Sequence, residues 1–223
     1  MLMDIEPFSL VDYPGYIAIT VFFAGCNFRC GFCHNPSLVL AEEKPQTSVT
    51  ELIALLQDRK DLIEGVCLTG GEPLLSPDMP SLLPQIKEMG YKIKLDTNGS
   101  NLAQLIKVAP YLDFIAIDIK AEPEKYELLT NCPGSWAEVE KTIAWVKKCG
   151  LSYEFRTTVL PAWHNEDSLA RIRLLLGDNV PWILQQFRQP PHGVLDGKKY
   201  ESYSDAWLKE LGRKLNCPVR GVN

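Results

Sequence analysis

The sequence predicts an α/β fold, a parallel sheet with helices outside it, on three observations. Short β-branched or aromatic runs alternate with amphipathic helical stretches six times over. The first run, residues 17–23, is apolar nearly throughout and bounded by Gly15 and Gly25, which is the pattern of a strand buried on both faces. The residues that carry chemistry recur directly after these runs, where parallel α/β folds gather their ligands.

Taken in order, residues 1–16 read as an extended lead-in with a turn at Tyr13-Pro14-Gly15. The strand over 17–23 feeds into a loop holding three cysteines. Thr50 is placed to cap a helix running to about residue 60, with Leu52, Leu55 and Leu56 on one face. A second strand over 65–69 ends at Gly70-Gly71, and a helix over 80–89 is closed by Gly90. A third strand, 91–95, ends at Asp96-Thr97-Asn98-Gly99 and precedes a helix over 102–108. The fourth strand, 114–118, carries Ile119-Lys120 at its C-terminal end. Ser135 is expected to cap a helix reaching about residue 148, closed by Gly150. A strand over 153–159, a helix over 166–176, a strand over 182–187 and a tail helix over 203–215 complete the alternation. No composition break divides the chain. The expectation is one domain over 1–223, with 1–16 as an N-terminal extended segment and 188–223 as a C-terminal extension.

Hydrophobic residues are 46% and charged residues 23%, which excludes a disordered chain, a coiled coil and a collagen-like fibre. The formal net charge of −5 is a poor basis for binding nucleic acid or an anionic membrane. The longest apolar stretch, 16–25, falls short of the ~20 residues a bilayer helix needs. The opening MLMDIEPFS lacks the basic region of a signal peptide, so the expected compartment is the cytoplasm.

There are seven cysteines, an odd number that argues against a disulfide framework. Cys67, Cys132, Cys149 and Cys217 are dispersed and read as small buried hydrophobes. Cys26, Cys30 and Cys33 fall within eight residues. Three thiolates on one loop can converge on a soft-metal centre, and spacing leaves three readings open. One is a zinc site with His34 as fourth ligand. A second is a Cys30–Cys33 redox pair. The third is a [4Fe–4S] cluster held through three irons, with the fourth left for substrate.

The other strand ends are individually weaker signals. Gly70-Gly71 allows close backbone approach to a ligand but also suits a plain strand-to-helix turn. The glycine spacing from Gly65 to Gly70 approaches a nucleotide-phosphate loop, yet Gly71-Glu72 stands where Lys and Ser/Thr are needed. No G-x-G-x-x-G follows any strand, so a nicotinamide dehydrogenase loses support. Asp96 and Asp118 end neighbouring strands and suit a cation or ribose hydroxyls, though each alone reads equally as a loop carboxylate. Lys120 is a candidate partner for a ligand carboxylate and Arg156 faces the same end, though either reads equally as an ordinary surface cation.

Together, Cys26-x3-Cys30-x2-Cys33 and Thr69-Gly70-Gly71-Glu72-Pro73 resemble the radical S-adenosylmethionine (SAM) superfamily. Leu10-Val11-Asp12-Tyr13-Pro14-Gly15, Cys33-His34-Asn35, Asp96-Thr97-Asn98-Gly99 and Asp118-Ile119-Lys120 narrow this to the activating enzymes of glycyl-radical enzymes. The opening over 8–15 is most similar to activating proteins of anaerobic ribonucleoside-triphosphate reductases. The resemblance covers about residues 8 to 156 and weakens over 183–220.

It implies a partial (β/α)6 TIM-like barrel of parallel strands. It implies that Cys26, Cys30 and Cys33 ligate a [4Fe–4S] cluster whose open iron is chelated by SAM. Gly70, Gly71 and Glu72 would line the methionine amine, with Lys120 near its carboxylate and Arg156 at the same end. Asp96, Thr97 and Asp118 match a monovalent-cation and ribose region, and Phe32 would lie near the adenine. Asp12 would face the partner's glycyl loop, with residues 4–15 as the docking edge. The partners implied are a glycyl-radical enzyme as protein substrate and a flavodoxin or ferredoxin as electron donor, with neither nucleic acid nor membrane. Activation of pyruvate formate-lyase, or small-molecule chemistry such as deazapurine synthesis, are the alternatives. Related activases carry a late histidine near the methionine carboxylate, where this chain offers Gln185, Gln186 or His192.

Overall fold

The computed structural model describes residues 2–42 and 45–222. Its strands form one sheet in chain order: β1 (Leu2–Ser9), β2 (Ala18–Phe23), β3 (Gly65–Gly70), β4 (Lys92–Thr97), β5 (Phe114–Asp118), β6 (Ser152–Val159), β7 (Trp182–Gln186) and β8 (Val219–Arg220). The expected alternation is β2 through β7, all paired in parallel. The lead-in is more than a connector. It supplies β1, antiparallel to β2 with Ile5 opposite Val21. At the other end β8 adds a short parallel pair to β7, with Val219 opposite Leu184. β1 and β8 are the two edges of the sheet, so the barrel is partial.

The helices are α1 (Pro36–Leu40), α2 (Val49–Asp58), α3 (Met79–Glu88), α4 (Leu102–Val108), α5 (Pro123–Thr130), α6 (Ser135–Val146), α7 (Glu166–Leu176) and α8 (Asp205–Lys214). Two caps differ from expectation. Ser48, not Thr50, caps α2, because only Ser48 forms the reciprocal capping box with Glu51. Gly134 is the N-cap of α6 in the left-handed region, which makes Ser135 its first helical residue. β4 also runs two residues beyond the expected end, bringing Asp96 and Thr97 into the strand. α1 and α5 are short and have little apolar periodicity, so hydrophobic pattern gave no sign of either.

The apolar core lies between sheet and helices. Val21, Val66, Leu68, Leu95, Ile115 and Phe155 on the strands are fully buried, with Leu52, Leu56, Leu82, Ile86, Leu169 and Ile172 on the helices. Each such side chain contributes roughly 1.5–3 kcal/mol on burial. The barrel interior is different. Thr20, Cys67 and Lys94 stand in register across β2, β3 and β4, and all three are buried. Tyr13 closes the bottom: a side chain at Gly65 would meet its ring at 2.7 Å. The interior is therefore polar above an aromatic plug, and a cavity lies at the strand C-termini.

Candidate active site

The cysteine loop leaves β2 at a glycine turn, Gly25, whose N–H donates to Leu38 O at 2.7 Å. Arg29 N donates to Thr130 O at 2.7 Å, so α5, the helix that periodicity did not reveal, anchors the loop. Cys26, Cys30 and Cys33 line one cavity of about 360 Å³, together with the C-terminal ends of the strands. All seven cysteines are free thiols. Burial pushes the Cys30 thiol up to about 12 and raises that of Cys26 as well. A metal centre binding here must therefore displace protons. Two donors already face the Cys26 sulfur: Phe28 N at 3.4 Å and Asn98 Nδ2 at 3.8 Å.

The two adjacent glycines serve the loop before any ligand. Gly71 N donates to Phe23 O at 2.8 Å and Glu72 N to Gly25 O at 2.8 Å. A Cβ on Gly71 would stand 2.1 Å from Gly25 O, so the end of β3 packs backbone to backbone on the start of the cysteine loop. Glu72 is fully buried. Its Oε1 accepts from Leu74 N (3.1 Å) and Thr97 Oγ1 (2.8 Å), and its Oε2 from Asn98 N (2.7 Å). Burial drives its carboxyl up to about 7 even though these hydrogen bonds favour the ionised form. It lies behind the cavity wall, where it fixes Thr97 and Asn98, both of which line the cavity.

An ionic chain crosses the β4–β6 side. Lys94 pairs with Asp96 Oδ1, and Arg156 NH1 reaches Asp96 Oδ2 at 2.9 Å. Arg156 Nε donates to Asp118 Oδ1 at 2.8 Å, and Lys120 Nζ lies 3.1 Å from Asp118 Oδ2. Burial opposes the charge on Asp118, but Arg156 and Lys120 outweigh it and hold the carboxyl far below the usual range. Burial likewise opposes the charge on Lys120, and Asp118 outweighs it, keeping the ammonium charged. His164, fully enclosed, donates from Nε2 to Lys120 O at 2.9 Å while its Nδ1 accepts from Leu160 N at 3.4 Å.

Other expected residues separate. Phe32 lines the cavity and packs edge-on to Phe187 and Tyr200. Asp12 also lines it, its Oδ2 accepting from Ser9 and Thr20 hydroxyls at 2.7 Å each, beside exposed Phe8, Leu10 and Val11. Of the candidates for the late histidine's place, Gln185 faces the cavity. Gln186 instead donates to Tyr203 O, and His192 to His34 O at 2.8 Å. Sequence reasoning did not single out Lys94, Asn98 or Thr158. Asn98 was legible in its motif, but Lys94 looked like an ordinary strand-surface lysine.

The donor set fits an iron–sulfur cluster: three thiols on one loop, two N–H groups aimed at a sulfur, and a cavity beside them for substrate. It does not fit the expected monovalent cation. Every oxygen of Asp96 and Asp118 already faces a lysine or arginine. Among the described residues no three His, Cys, Asp or Glu side chains are arranged to hold a single ion.

No helix among the described residues is long and apolar enough to cross a membrane. Residues 20–175 match the Radical SAM superfamily profile. The pyruvate formate-lyase-activating enzyme of Clostridium pasteurianum is 33% identical over 95% of this chain and 93% of its own. A Methanocaldococcus jannaschii protein named for glycyl-radical enzyme activation is 30% identical over 100% of this chain and 97% of its own. Among solved structures, Streptococcus suis SuiB bound to S-adenosylmethionine superposes with TM-score 0.68 at 16% identity. That match covers 90% of this chain, which spans about half (51%) of the SuiB chain. TYW1 with a lysine-pyruvate adduct superposes with TM-score 0.64 at 17% identity, over 89% of this chain and 72% of its own. The polar barrel, its three-thiol loop and these full-length relatives lead to one conclusion: the chain belongs to the radical SAM superfamily, enzymes that use a [4Fe–4S] cluster and S-adenosylmethionine, and its relatives include glycyl-radical enzyme activating enzymes.

Proposed function

We propose that this chain, acting as one domain over 1–223, installs a glycyl radical on a partner enzyme, and that the partner is an anaerobic ribonucleoside-triphosphate reductase. The observation that carries the reading is that the three cysteines line the same cavity as Gly70, Gly71, Asp96, Thr97, Asp118, Lys120 and Arg156. Cys26, Cys30 and Cys33 would hold the cluster. With SAM bound, the cluster would supply the chemistry of reductive sulfonium cleavage, one electron from an external donor releasing methionine and leaving a carbon radical able to take a hydrogen atom from the partner's glycine Cα.

The chain's own residues bind, orient and enclose. Asn98 and the Phe28 amide donate to the Cys26 sulfur and favour its thiolate. Gly70-Gly71, which lines the cavity, receives the methionine amine, and Lys120 turns from Asp118 toward the methionine carboxylate. Glu72 acts by holding Thr97 and Asn98 at the rim. Phe32 offers an aromatic edge to the adenine. Asp12, on the cavity wall next to exposed Phe8, Leu10 and Val11, meets the incoming glycyl loop, whose docking excludes water. The reading carries with it a cytoplasmic setting and a flavodoxin or ferredoxin electron donor.

Pyruvate formate-lyase is the second candidate partner, favoured by the near full-length similarity to the Clostridium pasteurianum activating enzyme. The test is anaerobic reconstitution with iron and sulfide, followed by reduction with SAM in the presence of each partner. About four irons per chain, 5′-deoxyadenosine and a glycyl doublet on the reductase support the proposal. A doublet only on pyruvate formate-lyase moves the partner assignment. Zinc without iron, or product from a small molecule with no partner protein, overturns the reading.

A further inference from the structure

We propose that Lys94 is a positioning residue that serves as the resident counter-cation of Asp96, so that this cavity binds SAM without an added monovalent cation. The inference rests on the SAM-binding reading above and deepens it by specifying how the cavity floor is neutralised.

Lys94 lies on β4 two residues before Asp96, so both side chains share the inward face of the strand. It is 1% exposed, whereas Lys92, on the same face of the strand's first turn of pleat, reaches solvent and pairs with Asp113. The Lys94 ammonium contacts Asp96 Oδ1 and lies 3.7 Å from Cys67 Sγ. Burying an ammonium costs on the order of several kcal/mol unless an anion stands beside it, so Lys94 and Asp96 depend on each other. Arg156 takes the second oxygen of Asp96 and one of Asp118, and Lys120 takes the last. Asp12 lines the same cavity on hydroxyl partners, so three cations stand with three carboxylates, and it is the two carboxylates of the β4–β6 wall, Asp96 and Asp118, that the cations take up. An additional cation at this wall would find every oxygen of Asp96 and Asp118 already facing a lysine or arginine.

The two lysines differ in freedom. Lys120 is 20% exposed at the cavity and can exchange Asp118 for a ligand carboxylate. Lys94 has no solvent to turn toward, and its neighbours on β2 and β3 at the same level are Thr20 and Cys67. It therefore stays on Asp96 through ligand binding and does the work that a bound sodium or potassium ion would otherwise do.

The test compares SAM binding and thermal melting of the reconstituted full chain in potassium, sodium and N-methylglucamine chlorides at equal ionic strength. For the wild type, the SAM dissociation constant is expected to agree across the three salts within about twofold, and the melting midpoint to be the same. Lys94→Met frees Asp96 Oδ1. In N-methylglucamine it should bind SAM about tenfold more weakly, with potassium or sodium recovering most of the loss and raising the midpoint. Lys94→Arg, which restores a cation, should again be indifferent to the salt. A wild type whose SAM binding or melting responds specifically to potassium or sodium overturns the proposal, as does a folded Lys94→Met with no cation response. If Lys94→Met does not fold, the wild-type salt exchange decides alone. Failure to bind SAM in every salt would instead strike the functional reading, and melting would still report on Lys94.

Discussion

The two sides of the cavity are built on opposite terms. On the β4–β6 side, Lys94, Asp96, Arg156, Asp118 and Lys120 satisfy one another, and each carboxylate oxygen has a cationic neighbour. On the cysteine side, Cys26 and Cys30 carry thiols held protonated by burial, and the buried His34 Nε2 has no hydrogen-bond partner. On one wall every carboxylate oxygen is paired without a ligand; the other wall is satisfied only when a metal centre replaces its protons. A preorganised wall fixes where a substrate lies, while an unfinished one supplies the coordination the chemistry needs.

The largest effect should come from the unfinished side. Cys26→Ala, Cys30→Ala or Cys33→Ala is expected to abolish iron incorporation and 5′-deoxyadenosine formation, with little change in the melting of the metal-free chain. A dithiol enzyme would keep its activity in Cys26→Ala, so iron content and cleavage measured on that variant break the contrast if both survive.

The ionic side should respond in stability instead. Arg156→Leu leaves Asp96 and Asp118 short of a shared cation, and removing one partner of a buried pair costs ~3–5 kcal/mol. Urea unfolding of the metal-free protein measures it. A loss confined to SAM binding, with stability unchanged, would mean that this wall is assembled by the ligand after all.

Glu72 ties the two sides together, and its substitution should have a smaller effect. Glu72→Gln replaces one carboxylate oxygen with an amide donor, set either against Asn98 N–H or against Leu74 N–H and the Thr97 hydroxyl, and each buried mismatch costs ~1–3 kcal/mol. Because Asn98 also donates to Cys26, the variant should additionally shift the cluster's reduction potential, which a merely structural role would not do. Its pH dependence has a definite sign. The folded carboxyl titrates at about 7, above its ordinary 4.5, so the wild type binds more protons than the unfolded chain between these values. The Glu72 contribution is full below the ordinary value and is lost as pH rises through about 7. The slope should flatten in Glu72→Gln.

How much of this was legible in the sequence follows the same division. The cysteine loop and the strand-end motifs could be read because a few residue types at fixed spacing carry their chemistry locally. Six of the eight helices and the six parallel strands could be read because their apolar periods match their burial. What escaped depends on partners distant in sequence. Lys94 in Lys-Ile-Lys-Leu alternates as a half-solvated strand would, and only closure of the barrel encloses it. Glu72 looked like a ligand-facing residue, yet its partners lie 25 and 26 residues on, and they turn its carboxylate into a brace. β1 lacks strict alternation, and its pairing with β2 shifts register twice, so a strand there had no clean period to show.

The smallest expected effect lies one step behind the ionic wall, at His164. Its ring bridges the Lys120 carbonyl and the Leu160 amide, which requires the neutral form with the proton on Nε2. Burial lowers its folded pKa from 6.5 to about 4, against the weaker opposing pull of the Lys120 carbonyl. Between those values the unfolded chain binds the extra proton, so stability is present above 6.5 and falls as the pH drops toward 4. From neutral pH to about pH 5 the loss should be on the order of 1–2 kcal/mol. His164→Gln can keep a donor to Lys120 O and removes the titration. Its melting should therefore fall less steeply over that interval, in the range where the Glu72 contribution changes in the opposite sense. Scanning both single variants and their double variant separates the two slopes. If His164→Gln leaves the acid limb of the profile as steep as in the wild type, the enclosed histidine is not what senses the proton, and the Lys120 carbonyl is held by the backbone alone.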